Sequence, residues 1–110
     1  MSKGQYLGEF ELHVMAALAR LGEEAYGMTI RREIEERSGR SVAMGAVYAT
    51  VGRLADKGYV RFQISDPRPV QGGRSRKHVH LTPAGRRALA QSTSMLTRML
   101  PGLSSAAKTR

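Results

Sequence analysis

The stretch Ser41-Val42-Ala43-Met44-Gly45-Ala46-Val47-Tyr48-Ala49-Thr50-Val51-Gly52-Arg53-Leu54-Ala55-Asp56-Lys57-Gly58 decides how the chain is read. At about 100° per residue, Met44, Val47, Val51 and Leu54 fall on one side of a helix, and Gly45, Ala49, Gly52 and Arg53 on the other. Lys57-Gly58 stops it. The inward side is a narrow apolar stripe. The outward side is small and carries one long cation. Each of its two glycines costs a helix about 1 kcal/mol relative to alanine, a cost an ordinary surface helix has little reason to carry twice.

Working outward, Ser38-Gly39-Arg40-Ser41 separates this helix from an earlier one marked by Tyr26, Ile30 and Ile34. Around that stripe, Arg31/Glu35, Arg32/Glu36 and Glu33/Arg37 are spaced for i,i+4 pairs. Before it, Phe10, Val14, Ala17, Leu18 and Leu21 form a first helical stripe, stopped at Gly22. Leu12, Met15, Ala16 and Ala19 form a second stripe on the same helix. A helix apolar over most of its circumference must be covered on both sides, which predicts a second subunit. Downstream, Val60, Phe62 and Ile64 alternate with Arg61 and Gln63, and Val79 and Leu81 with His78 and His80. Both segments read as half-buried strands, joined through the turn-rich Asp66-Pro67-Arg68-Pro69-Val70-Gln71-Gly72-Gly73. Thr82-Pro83 then caps and opens a last helix running to about Leu100. Its Leu89, Ser92, Leu96, Met99 and Leu103 recur at steps of three and four, as in a helix that packs on a partner, with Pro101-Gly102 breaking the pattern before Leu103.

Three helices followed by a hairpin is the order of a winged helix-turn-helix, whose third helix enters the DNA major groove while the hairpin flanks it. The fold expected is therefore mainly α with a two-stranded β wing and a C-terminal dimerisation helix. Residues 1–6 are expected to be a flexible N-terminus, 7–81 the DNA-binding domain, 82–100 the dimerisation helix and 101–110 a disordered tail. Small residues let the third helix approach base edges, and arginine suits paired hydrogen bonds to guanine or a phosphate clamp. Candidate DNA contacts are Ser41, Gly45, Ala46, Tyr48, Ala49, Thr50 and Arg53, with Arg74, Arg76 and Lys77 on or near the wing tip. Tyr48 reads equally as a core tyrosine at the edge of the inward face.

The charge distribution agrees. The chain carries a formal net charge of +9. From Met1 to Gly58 eight basic residues balance eight acids, and from Tyr59 to Arg110 ten basic residues face one acid, Asp66. A polyanionic partner accounts for this, as would, more blandly, a basic face kept for solubility. With no cysteine there is neither a disulfide framework nor a thiolate metal site. With neither a signal-like segment nor an apolar run long enough to span a bilayer, a soluble cytoplasmic protein with no membrane association is expected. His78 and His80 share a strand face, a spacing open to metal, but surface imidazoles beside a basic wing are the better reading, and no metal or cofactor is expected. No arrangement of nucleophile, acid and base, or phosphate loop is present, so no enzyme is expected.

Taken together, Leu7-Gly8-Glu9-Phe10-Glu11, Ala25-Tyr26-Gly27, Ile30 with Glu33 and Ile34, Gly45-Ala46-Val47-Tyr48, Arg53-Leu54, Lys57-Gly58, Gly72-Gly73-Arg74 and Leu81-Thr82-Pro83-Ala84-Gly85 resemble the PadR regulators in order and spacing. The resemblance runs from Leu7 to about Leu100, and the short last helix is similar to the smaller subfamily without a separate C-terminal domain. It implies a bacterial, nucleoid-associated repressor whose first and last helices build a two-fold dimer on double-stranded DNA with a palindromic operator. It also implies a small apolar or aromatic effector. Leu12, Met15, Ala16, Ala19, Leu89, Ser92, Leu96 and Met99 are the dimer candidates, and Met95, Leu96 and Met99 could line an effector pocket or simply be dimer core. Three departures from the pattern are Ala43 where a serine or threonine is common, leaving capping to Ser41, Gly52 for a polar helix former, and His78-Val79 for an aromatic pair. Two other readings remain: a winged-helix module docking an acidic partner protein, and a nonspecific architectural DNA binder.

Overall fold

The computed structural model describes residues 7–64 and 77–103. The expected flexible N-terminus, the wing turn with Arg74 and Arg76, and the tail from residue 104 lie outside the described residues. Helices α1 (Glu9–Leu21), α2 (Gly27–Ser38) and α3 (Met44–Asp56) precede strands β1 (Val60–Ile64) and β2 (Lys77–Leu81), and α4 (Pro83–Met99) closes the order. A single 3-10 turn, Gly22–Glu24, links α1 to α2.

Local chemistry accounts for the boundaries. Glu9 and Glu11 sit in the first turn of α1 and Arg20 in its last, each complementing the helix dipole. At α2 the Tyr26 N–H donates to Thr29 Oγ1 at 3.0 Å, and that hydroxyl donates to the Glu24 carbonyl at 2.6 Å. Thr82 caps α4 as expected: its Oγ1 accepts from the Gly85 N–H at 3.0 Å and donates to the Gly58 carbonyl at 2.6 Å. With Pro83 at the first helical position, the turn after β2 is pinned to the turn before β1. Gly85 completes the fit, since a Cβ there would lie 2.0 Å from the Tyr59 carbonyl oxygen.

The core gathers Val14, Met15 and Leu18 from α1, Ile30 and Ile34 from α2, Val47, Val51 and Leu54 from α3, Val60, Val79 and Leu81 from the sheet, and Ala88 from α4. Burying each large side chain contributes roughly 1.5–3 kcal/mol. The strands pair antiparallel from Val60 opposite Leu81 to Ile64 opposite Lys77. Val60, Phe62, Val79 and Leu81 therefore share the face toward the core, while Arg61, Gln63, His78 and His80 share the other. The Val79 N–H also donates to the Ala25 carbonyl at 2.9 Å, and Tyr26 forms an antiparallel bridge with His78. The α1–α2 link thus adds a short third edge to the sheet, a feature too brief to show alternation in the sequence.

Three expectations are corrected. Met15, assigned to a partner-facing stripe, is 0% exposed within its own chain. The reason is that α1 is the central helix, packed by α2, α3, β2 and α4 together, so its inward face is wider than one neighbour would need. Leu12 and Ala16 are half-buried and Ala19 exposed, so that stripe is only partly open. Ser41 does not cap α3: no side chain caps it, and the Ala46 and Val47 N–H groups turn back to the Ala43 carbonyl at 3.0 and 3.2 Å. Of the three α2 pairs, Arg31–Glu35 (3.7 Å) and Arg37–Glu33 form, and Arg32–Glu36 does not among the described residues.

Candidate nucleic-acid interface

Helix α3 presents Gly45, Ala46, Tyr48, Ala49 and Arg53 to solvent, with Ser41 exposed just before it and Gly52 half-buried. Thr50, counted among the DNA contacts, is instead buried at 1% exposure. It stands three residues after Val47 and four before Leu54, inside the stripe that packs on the core, and this spacing was available in the sequence. Its hydroxyl accepts a hydrogen bond from Arg53 Nη2 at 3.0 Å.

Tyr48 is 59% exposed, so the core reading of this residue gives way to the surface one. Its ring lies over the start of α2: a Cβ on Gly27 would come within 2.6 Å of the Tyr48 hydroxyl and 2.9 Å of its ring. Gly27 thus leaves the space that the Tyr48 ring and hydroxyl occupy against the start of α2. The turn between the same helices is tied by Glu35, whose Oε2 accepts from the Val42 N–H at 2.8 Å while its Oε1 pairs with Arg31. Neither Gly27 nor Glu35 was singled out for this role from sequence, although the motif Ala25-Tyr26-Gly27 was visible.

Arg53 is oriented from below. Its side chain is 58% exposed, and its Nε lies 3.9 Å from Glu11 Oε2. Glu11 is buried in the first turn of α1, where it accepts from the Gly8 N–H at 2.8 Å and from Lys57 Nζ at 3.0 and 2.9 Å. Burial alone raises this carboxyl, but the Gly8 hydrogen bond, the Lys57 hydrogen bond and the charges of Lys57 and Arg53 together outweigh it. The net result is a carboxyl below the ordinary glutamate range, ionised at neutral pH. Glu11 therefore joins the start of α1 to the end of α3 and gives the one long cation of the exposed face a fixed origin. The sequence shows Glu11 as one of the eight acids of the neutral half and as the end of the Leu7–Glu11 motif, but its 46-residue separation from Lys57 hid the partnership.

On the wing, Lys77 opens β2 with its Nζ 4.2 Å from the centroid of the Phe62 ring, a cation–π contact that holds the charge over the sheet. On the opposite face the rings of His78 and His80 stack 6.4 Å apart, and no third histidine, cysteine or carboxylate joins them among the described residues. Along α4, Leu89 and Ser92 are half-buried, whereas Met95, Leu96 and Met99 are 44%, 38% and 68% exposed. Leu100 and Leu103 extend the same apolar stretch at 52% and 53%. Among the described residues, no helix is long and apolar enough to cross a membrane.

Residues 14–91, well over half of the chain, match the model of the transcriptional regulator PadR-like family. The chain belongs to the PadR-like family. It is thus a member of a family of transcription regulators rather than of enzymes, as the missing catalytic arrangement led one to expect. Similar solved structures include a PadR family transcription regulator from hypervirulent Clostridium difficile, at 22% identity and TM-score 0.69 over 84% of this chain and 91% of that one. Bacillus subtilis PadR in complex with operator DNA is similar at 24% identity and TM-score 0.63, over 76% of this chain and 47% of that one. A winged-helix DNA-binding protein from STIV is similar at 18% identity and TM-score 0.70, over 88% and 97%. At these identities the likeness is one of fold, and the fold is the winged helix with a further C-terminal helix. A search of curated proteins finds no match.

Proposed function

We propose that this PadR-like protein is a cytoplasmic, nucleoid-associated repressor that binds a palindromic operator as a homodimer and is released by a small apolar or aromatic effector. The observation that carries the DNA-binding reading is the solvent face of α3, where Gly45, Ala46 and Ala49 leave room for base edges beside the exposed Tyr48 and the anchored Arg53. The uncapped start of α3 adds free N–H groups suited to a backbone phosphate. Arg74, Arg76 and Lys77 then grip phosphates from the wing. The solved complex of Bacillus subtilis PadR with operator DNA supports the same partner.

Dimerisation rests on Leu96, Met99 and their neighbours on α4, with Leu89, Ser92, Leu12, Ala16 and Ala19 at the edge of that face. Met15 is excluded by its burial. The effector would lie where Met95, Leu96 and Met99 of two copies meet, since flexible thioethers adapt to ligands of varied shape. Mapping the genomic sites bound by the protein, followed by binding of one such fragment against scrambled DNA at equal salt, tests the reading. A repressor discriminates strongly, an architectural binder does not, and a protein-docking module binds neither.

A further inference from the structure

A groove of about 470 Å³ opens on the sheet face turned away from the core, lined by Arg61 and Gln63 of β1, His78 and His80 of β2, and Arg86 of α4, with Glu23 at its rim. The strand register places Arg61 opposite His80 and Gln63 opposite His78, so four polar side chains project from one patch of sheet. Two contacts fix the imidazoles: His78 Nδ1 lies 3.0 Å from the Glu23 carbonyl oxygen, and the His80 ring stacks on that of His78 at an interplanar angle of 14°. Arg61 and Arg86 are both exposed, and neither forms an ion pair among the described residues. The groove thus gathers guanidinium groups from β1 and α4 with a single carboxylate, Glu23, so its lining is net positive and suited to an anion.

We infer that this groove is a binding site for a small dianion, either a phosphate ester or a short dicarboxylate. Guanidinium forks meet either group with paired, charge-assisted hydrogen bonds. The Gln63 amide adds a neutral donor, and Leu18 and Leu81 provide apolar lining for the body of the ligand. The groove is open to solvent and mostly polar, as suits a small, hydrated anion rather than an enclosed apolar ligand. None of the lining residues belongs to α3, so the site is separate from the helix assigned to DNA and does not depend on that assignment.

Isothermal titration of the whole protein at physiological salt, with inorganic phosphate and with succinate as probes, tests the inference. At least one probe should bind saturably at one site per chain, and the preferred probe tells whether the natural ligand carries phosphate or carboxylates. Arg61→Gln and Arg86→Gln should each weaken binding about tenfold, the loss of one charge-assisted pair. Both replace exposed side chains, and an unchanged melting temperature checks that the fold is intact. Saturating random duplex DNA should leave the probe bound. The inference is overturned if neither probe saturates, if both substitutions leave binding unchanged, or if the duplex displaces the probe, which would make the groove part of the DNA surface.

Discussion

A methyl group added at Gly85 would meet the Tyr59 carbonyl oxygen at 2.0 Å, whereas one added at Gly52 would meet nothing within 4 Å. The same substitution should therefore have opposite signs. Gly85→Ala forces α4 away from the β1 turn and should cost about 1–3 kcal/mol, while Gly52→Ala should stabilise by about 0.5–1 kcal/mol through helix propensity, both read from urea unfolding. Equal effects would contradict the packing described. Glu11 gives a pH dependence of determinate sign. Because its carboxyl is held below the ordinary range, its contribution is fully present above the pKa of an unfolded glutamate and is lost as pH falls through the folded one. Glu11→Gln should thus lower stability at neutral pH and flatten the loss of stability on the acid side. A variant with an unchanged acid limb would show that Glu11 is not held in this way. At this scale the sequence was legible where a residue acts through local spacing, as with Thr82 and Pro83. It was illegible where distant segments meet, as with Glu11 and Lys57, and it was misread at Thr50 because the inward stripe was drawn one residue too narrow.

Helices α1 and α4 differ in how far periodicity could be trusted. On both, apolar residues recur at steps of three and four, but periodicity marks a residue as coverable and does not say whether its own chain or a second one covers it. The structure covers Met15 with intramolecular neighbours and leaves Leu96 and Met99 open. The hairpin was legible from alternation alone, which also excludes one-residue slips because Val60, Phe62, Val79 and Leu81 must share a face, but does not by itself choose the pairing of Val60 with Leu81. The bridge from Tyr26 to His78 was not, since a single pair has no period. For α4, Leu96→Glu places a charge in the stretch proposed to meet a partner. It should convert a dimer to a monomer in light scattering and weaken operator binding at the same time, because each half-site is then bound alone. A monomer that binds the operator with undiminished affinity would separate the two properties and count against the proposed dimer.

The molecule as a whole divides its work by charge, with a nearly neutral half that folds into α1–α3 and a basic half that supplies the wing and α4. Cations that grip phosphates and side chains that read bases should therefore leave different signatures when substituted. Replacing Arg74, Arg76 or Lys77 should weaken operator and random DNA by similar factors and reduce the salt slope by about one unit for each phosphate no longer neutralised. The proposed two-fold dimer adds the expectation that paired α3 helices meet major grooves about one helical turn apart, or a multiple of it. The most direct test is fluorescence anisotropy of wild type and Arg53→Ala on operator and scrambled duplexes across a salt series. Arg53→Ala should cost about 1–3 kcal/mol on the operator, with little change on scrambled DNA, so that discrimination narrows. If Arg53→Ala leaves discrimination intact while a wing substitution abolishes it, α3 does not read the sequence and the central assignment is wrong.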